Sequence, residues 1–259
     1  MKFFRTVFLI FLVCSCSNKD NGRWQQHVSY KMVIDVDAKN RSYSGTQELV
    51  YTNNSSDTIS RVFYHLYFNA FKPGSEMQIR ASEISDDDRT ISKKILSLEK
   101  KDFGDVRVLE LLQDGFLLEL KNQETILEAA LKTPLLPGEK TTLSMRFEVD
   151  VPKQVRRAGK DSDDGIDFSM AQWYPKLCEY DSQGWHANAY LGREFYGVWG
   201  DFDVTINIDN KYTVAGSGYL QNPEEVGHGY AELKKPYESD KISWRFLAPN
   251  VHDFSWAAD

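Results

Sequence analysis

The sequence is short of the side chains that hold metals and cross-link chains. Its 259 residues include only three cysteines and five histidines. The histidines are His27, His65, His186, His228 and His252, and no two of them stand four apart. A helical zinc site needs two histidines at that spacing, a third ligand and an open position for water. Without them no metal site and no metal-bound hydroxide are expected from this chain. His228 and Glu232 do have the spacing, but Gly227 and Gly229 flank the histidine and predict a turn. Glycine-rich phosphate loops and Gly-x-Ser-x-Gly nucleophile elbows are also missing. Asp161 to Asp167 begins like a calcium loop, but its twelfth position is Gln172 and its glycine arrives one place early. A solvated acidic loop is the expectation there. Glu179 and Glu194 are carboxylates of the kind glycosidases pair, but nothing in the sequence sets their separation. No catalytic residue is therefore assigned.

Excess positive charge is lacking as well. The formal net charge is -7, which argues against nucleic acid, whose binding rewards clustered Lys and Arg. Hydrophobic residues make up 41% and charged residues 27%, the balance of a globular chain and not of a disordered one. The apolar run near the start, Val7 to Val13, is too short to cross a bilayer as a mature helix. It follows Lys2 and Arg5 and reads as an export signal. Its end, Leu12-Val13-Cys14-Ser15-Cys16, resembles a bacterial lipobox. On that reading residues 1–15 are the signal, Cys16 carries the lipid, and 16–28 form a polar tether to a domain at 29–259. A bystander cysteine in an ordinary cleaved signal is the competing reading. The lipid reading predicts an exported chain anchored to a bacterial membrane. It leaves Cys178 alone in the mature chain, which excludes an internal disulfide and suits a buried apolar role.

Most of the rest alternates with period two. Tyr30, Met32, Ile34 and Val36 do so, as do Leu143 to Val151 and Val204 to Ile208. Such alternation puts one face on a core and the other in water. Asp114-Gly115 joins two apolar runs and predicts a tight hairpin, and Pro137-Gly138 predicts another turn. Asp86-Asp87-Asp88 predicts a charged loop. Glu124 to Leu131, with Ile126, Ala129 and Ala130 at helical spacing, is the one short helix expected. The fold class is all-β and sandwich-like.

Residues 166–204 stand apart through their aromatics. Large rings fill cores or interdomain contacts, and they also build platforms for glycans or peptides. Trp173, Trp185 and Trp199 would be the platform in a free-standing binding lipoprotein, the alternative reading of function. The blocks Ala171-Gln172-Trp173-Tyr174-Pro175, Tyr180-Asp181, Gly184-Trp185, Arg193-Glu194-Phe195-Tyr196 and Phe202-Asp203-Val204 resemble the N-terminal, saddle-like β domain of the aminopeptidase N family of zinc metallopeptidases. So do Ala215 to Leu220 and Val251 to Ala257. The resemblance covers almost all of the chain beyond the tether, in order. It implies a non-catalytic domain of an exported peptidase that acts from peptide N-termini. It implies a thermolysin-like catalytic domain as partner, with zinc bound in that domain and not in this one. In the family the β domain lends a Gln or Glu to the substrate amine, and Gln172 is the candidate by neighbourhood, although the family spacing around it is not reproduced. An exposed apolar patch near Asp259 is expected where that partner packs.

Overall fold

The computed structural model describes residues 24–83, 89–192 and 196–259. The signal, Cys16, most of the tether, Asp86 to Asp88 and Arg193-Glu194-Phe195 lie outside the described residues. The chain runs β1 (His27–Asp37), β2 (Ser42–Thr52) and β3 (Ile59–His65), then a 3-10 turn (Tyr67–Phe71) and helices α1 (Glu76–Glu83) and α2 (Arg89–Leu96). It continues with β4 (Asp105–Gln113), β5 (Phe116–Leu117), β6 (Leu120–Gln123), β7 (Ile126–Leu135) and β8 (Lys140–Asp150). Five short strands follow: β9 (Gly159–Lys160), β10 (Phe168–Met170), β11 (Lys176–Leu177), β12 (Tyr180–Asp181) and β13 (Gly184–Trp185). The last elements are β14 (Gly200–Asp209), β15 (Val214–Gly216), β16 (Tyr219–Leu220), α3 (Pro223–Val226), β17 (Lys241–Val251) and β18 (Trp256–Ala258). The first strand begins at His27, two residues ahead of the boundary expected at 29.

Alternation builds the main sheet, an eight-stranded one ordered β16-β17-β14-β1-β2-β8-β4-β5. Val28, Tyr30, Met32, Ile34 and Val36 of β1 point inward and are all buried, as are Leu143, Met145, Phe147 and Val149 of β8. Among the described strands of this sheet only β1 and β14 pair in parallel, Val28 beside Gly200 through Asp35 beside Asn207. Inside, Gly45 faces the Phe147 ring across the β2–β8 ladder. A Cβ there would stand 2.5 Å from the ring. The inner face is covered by two smaller sheets, β11-β3-β7-β6 and β15-β18-β10-β9, and one continuous apolar core joins all three. Each fully buried Leu, Ile, Val, Phe or Met side chain in it contributes about 1.5–3 kcal/mol. A satellite cluster of Tyr67, Phe71, Met77, Ile95, Val155 and Tyr190 lies under α1 and α2. The molecule is all-β and sandwich-like, as expected.

The turns behave as their residues dictate. Asp114 and Gly115 both have positive φ, 48° and 88°, the conformation of a two-residue type I′ hairpin. Gly138 (φ 80°) closes the β7–β8 turn. His228 (φ 49°) sits between Gly227 and Gly229, both also at positive φ, in a turn and not a helix.

Two expectations are corrected. Glu124 to Leu131 is not a helix. From Ile126 onward it is β7, paired with β3 and β6, and Leu127, Ala129 and Leu131 bury with period two. The helical spacing of Ile126, Ala129 and Ala130 is overridden by pairing on both edges. The helices lie instead at α1 and α2, where Met77 and Ile95 are the large apolar anchors. The last strand also does not supply the apolar patch expected near Asp259. Phe254, Trp256 and Ala258 are buried because β18 is an inner strand between β15 and β10.

Candidate functional site

The segment from β10 to β14 carries the residues singled out by sequence. β10 ends at Met170, and Gln172 then takes a left-handed conformation (φ 57°). That costs a non-glycine residue about 1 kcal/mol or more. It redirects the chain so that Trp173 and Tyr174 enter the core. Trp173 donates its indole N–H to the Phe254 carbonyl at 3.0 Å, and Tyr43 donates its hydroxyl to the Trp173 carbonyl. Gln172 is itself buried, 3% exposed, and its Oε1 accepts the Tyr190 hydroxyl at 2.9 Å. Tyr190 in turn is fixed by its backbone N–H to Thr125 Oγ1 at 3.0 Å.

Beside it is a polar knot that the sequence reading missed. The Lys176 side chain is only 2% exposed, and its Nζ stands 3.4 Å from Asp253 Oδ1. The same nitrogen donates to the His252 carbonyl at 2.9 Å. Tyr174 donates to Asp253 Oδ1 at 2.6 Å, while Asp253 Oδ2 is buried without a hydrogen bond among the described residues. Burial pulls the Lys176 amine below its usual range, and Asp253 opposes that pull. Gly197 is a glycine because Lys176 runs beneath it. A Cβ there would meet the Lys176 Cε at 2.8 Å. The one available signal was a lysine set in the apolar run from Trp173 to Cys178. Burial also raises the thiol of Cys178, which is fully enclosed. It is inert packing and not a nucleophile.

Further along, Glu179 is 6% exposed. Burial pushes its carboxyl up to about 7, against a hydrogen bond from the Tyr180 N–H that favours the charged form. Asp181 lies 2.8 Å from His186 Nε2 and accepts the Tyr196 hydroxyl at 3.0 Å. Glu194, the other carboxylate named for glycoside chemistry, is outside the described residues. Trp199 is 47% exposed and packs edge-on against His252 at 5.8 Å. Trp185 is half-buried among Phe63, Tyr51 and Tyr180. The proposed platform of three tryptophans is therefore not formed, since Trp173 is 1% exposed. The acidic loop is largely solvent-exposed, as expected, and its last residue, Asp167, turns to a cation. Arg41 forms a bidentate pair with Asp167 at 2.7 and 2.8 Å.

The histidines are spread over the molecule and engaged separately. His27 faces Asp201 at 3.4 Å, His65 stacks on Tyr67, and His228 is held between Thr213 and the Asn210 carbonyl. Among the described residues no three His, Cys, Asp or Glu side chains converge to hold a metal. These residues do not fit a zinc ion, so no chemical step of this chain is routed through one.

No protein-family model matches the sequence, and no curated protein matches it. Solved structures do match. An M1 zinc metallopeptidase from Deinococcus radiodurans bound to a Tyr-Ser-Ala substrate is 14% identical, with a TM-score of 0.52, over 90% of this chain and 42% of that one. A second structure of an M1 zinc metallopeptidase from the same organism gives 13%, 0.50, 92% and 43%. The chain thus spans a little over two fifths of the length of these peptidases. With its three packed sheets and its aromatic segment, it has the fold of the N-terminal portion of an M1 zinc metallopeptidase.

Proposed function

We propose that this chain is the front, non-catalytic domain of an exported aminopeptidase-like zinc peptidase, held at a bacterial membrane through lipid on Cys16. The observation that carries the reading is that 90% of the chain shares its fold with 42% of a metallopeptidase whose structure holds a tripeptide. Zinc and catalysis then belong to a thermolysin-like helical domain that packs on this one. The work of the β domain is to wall the peptide site, restrict entry to chain ends and exclude water, which strengthens electrostatic interactions at the site. A wall must be stiff. The Tyr174–Asp253–Lys176 knot and the strained turn at Gln172 supply stiffness where strand ladders are short. In this reading Gln172 Oε1 meets the peptide's amine by leaving the Tyr190 hydroxyl and turning out of the buried position it holds here.

The test is activity of the chain alone and joined to the segment encoded downstream. The joined protein is expected to hydrolyse aminoacyl amides, to lose that activity with a chelator, and to show a KM raised about tenfold by Gln172→Ala, the worth of a hydrogen bond to a charged group. The 259-residue chain alone is expected to be inactive. Chelator-sensitive hydrolysis by that chain alone overturns the reading.

A further inference from the structure

One end of the sandwich gathers exposed apolar side chains around the point where the chain leaves the tether. Strand register places it. His27 pairs with Thr52 and Thr52 with Lys140. Asp114 receives Thr141 and Thr142 at 2.7 and 2.9 Å, and Gln113 bonds Thr133 at 2.8 Å. Asn53 ties the β7–β8 turn to β2 through Gly138 and Glu139. Asn54 takes hold of Gln25 and Gln26. Trp24, the Asn53–Asp57 loop, the Leu136–Glu139 turn and the Asp114–Leu117 hairpin therefore share one end. Four strand spacings, about 19 Å, separate β1 from β5 across it.

That end is apolar where it is most exposed. Phe116 is 66%, Leu117 61% and Leu136 49% exposed. Trp24 stacks on Tyr180 with ring centres 5.9 Å apart, giving the amphipathic rings that favour a membrane–water boundary. Exposed Lys132 and Lys140 stand close by. The nearby acids are partly spent. Asp57 accepts the Tyr180 hydroxyl, Asp114 is bound by the two threonines, and Glu139 accepts the Leu136 N–H at 2.9 Å. Glu119 is exposed beyond the hairpin.

We propose that this end is a bilayer-contact surface, with Phe116, Leu117 and Leu136 entering the headgroup layer and Lys132 and Lys140 meeting lipid phosphates. The proposal rests on the lipid anchor at Cys16. Cys16 lies eight residues before Trp24, a contour of at most about 29 Å, so an anchor there keeps this end of the sandwich within reach of the membrane.

The acylated chain provides its own test. Cys178 is buried, so a cysteine introduced by Phe116→Cys, Leu136→Cys or, on α1 as control, Ile79→Cys is an accessible thiol for an environment-sensitive fluorophore. In phosphatidylcholine vesicles carrying brominated lipid, labels at 116 and 136 are expected to be quenched about twofold and the label at 79 not at all. Equal quenching at all three positions overturns the proposal, as does a shift at 116 without vesicles, which signals self-association. Incorporation of labelled fatty acid, lost in Cys16→Ala, reports the anchor separately. An acylated chain with no quenching at 116 and 136 overturns the surface alone, and an unacylated chain overturns the anchor and the surface together.

Discussion

The eight-stranded sheet and the segment from Phe168 to Trp199 solve the same problem in different ways. The sheet is fixed by backbone ladders. Every second side chain of β1, β8 and β14 is buried, the other face meets water, and its charges pair at the surface, as Arg245 does with Asp203. Screening leaves such pairs little energetic weight. The segment has strands of two or three residues, so few ladder bonds hold it. Side chains do that work instead. Tyr30 accepts the Leu177 N–H at 3.0 Å, Trp173 holds the Phe254 carbonyl, and Lys176 is buried against Asp253. Regular structure tolerates exchange of its polar residues, whereas irregular structure is made of them.

The sharpest test of that contrast is Lys176→Ala, which leaves Asp253 buried without its cation and is expected to cost about 3–5 kcal/mol by urea denaturation. Recovery of most of that loss in Lys176→Met/Asp253→Leu would show that the irregular segment needs filling and not charge. In the sheet, Gly45→Ala pushes a methyl into the Phe147 ring and is expected to cost about 1–3 kcal/mol. A loss as large as that of Lys176→Ala would erase the difference between the regions. The smallest effect is pH-dependent. Folded Glu179 keeps its proton up to about 7, against an ordinary value of 4.5. The folded state therefore binds more protons in that window, and stability falls as pH rises through it. Glu179→Gln is expected to match the parent below that window and to exceed it above, read as melting temperature against pH. Parallel pH profiles for the two proteins would remove Glu179 from the account.

How much could be read from the sequence follows the same division. The alternation of Tyr30 to Val36 and of Leu143 to Val151 marked strands because one face is wet and the other dry. Asp114-Gly115 marked its hairpin because few residue pairs accept two positive φ values. β7 was misread because Ala129 and Ala130 after Ile126 gave a helical spacing by accident, while β3, the partner on one of its edges, comes from distant sequence and the preceding β6 was not read as a strand. α1 went unseen because it has too few apolar residues to form a stripe, whereas α2 does carry Ile91 and Ile95 at helical spacing, in an element only eight residues long. In the site, the aromatic blocks signalled a special segment, but the burial of Trp173 and the Lys176–Asp253 pair depend on residues some eighty positions away. Local pattern does not carry such contacts.

The parallel pairing of β1 with β14 also governs when the molecule can form. β1 finds β2 at once through a short turn, but its other edge stays open until the chain has grown from Val28 past Gly200. Closing so long a loop is entropically slow. A ribosome therefore releases the chain as far as β14 before the central strand can be sealed on both sides. Until then its bare edge is the place where a chaperone binds or an aggregate starts.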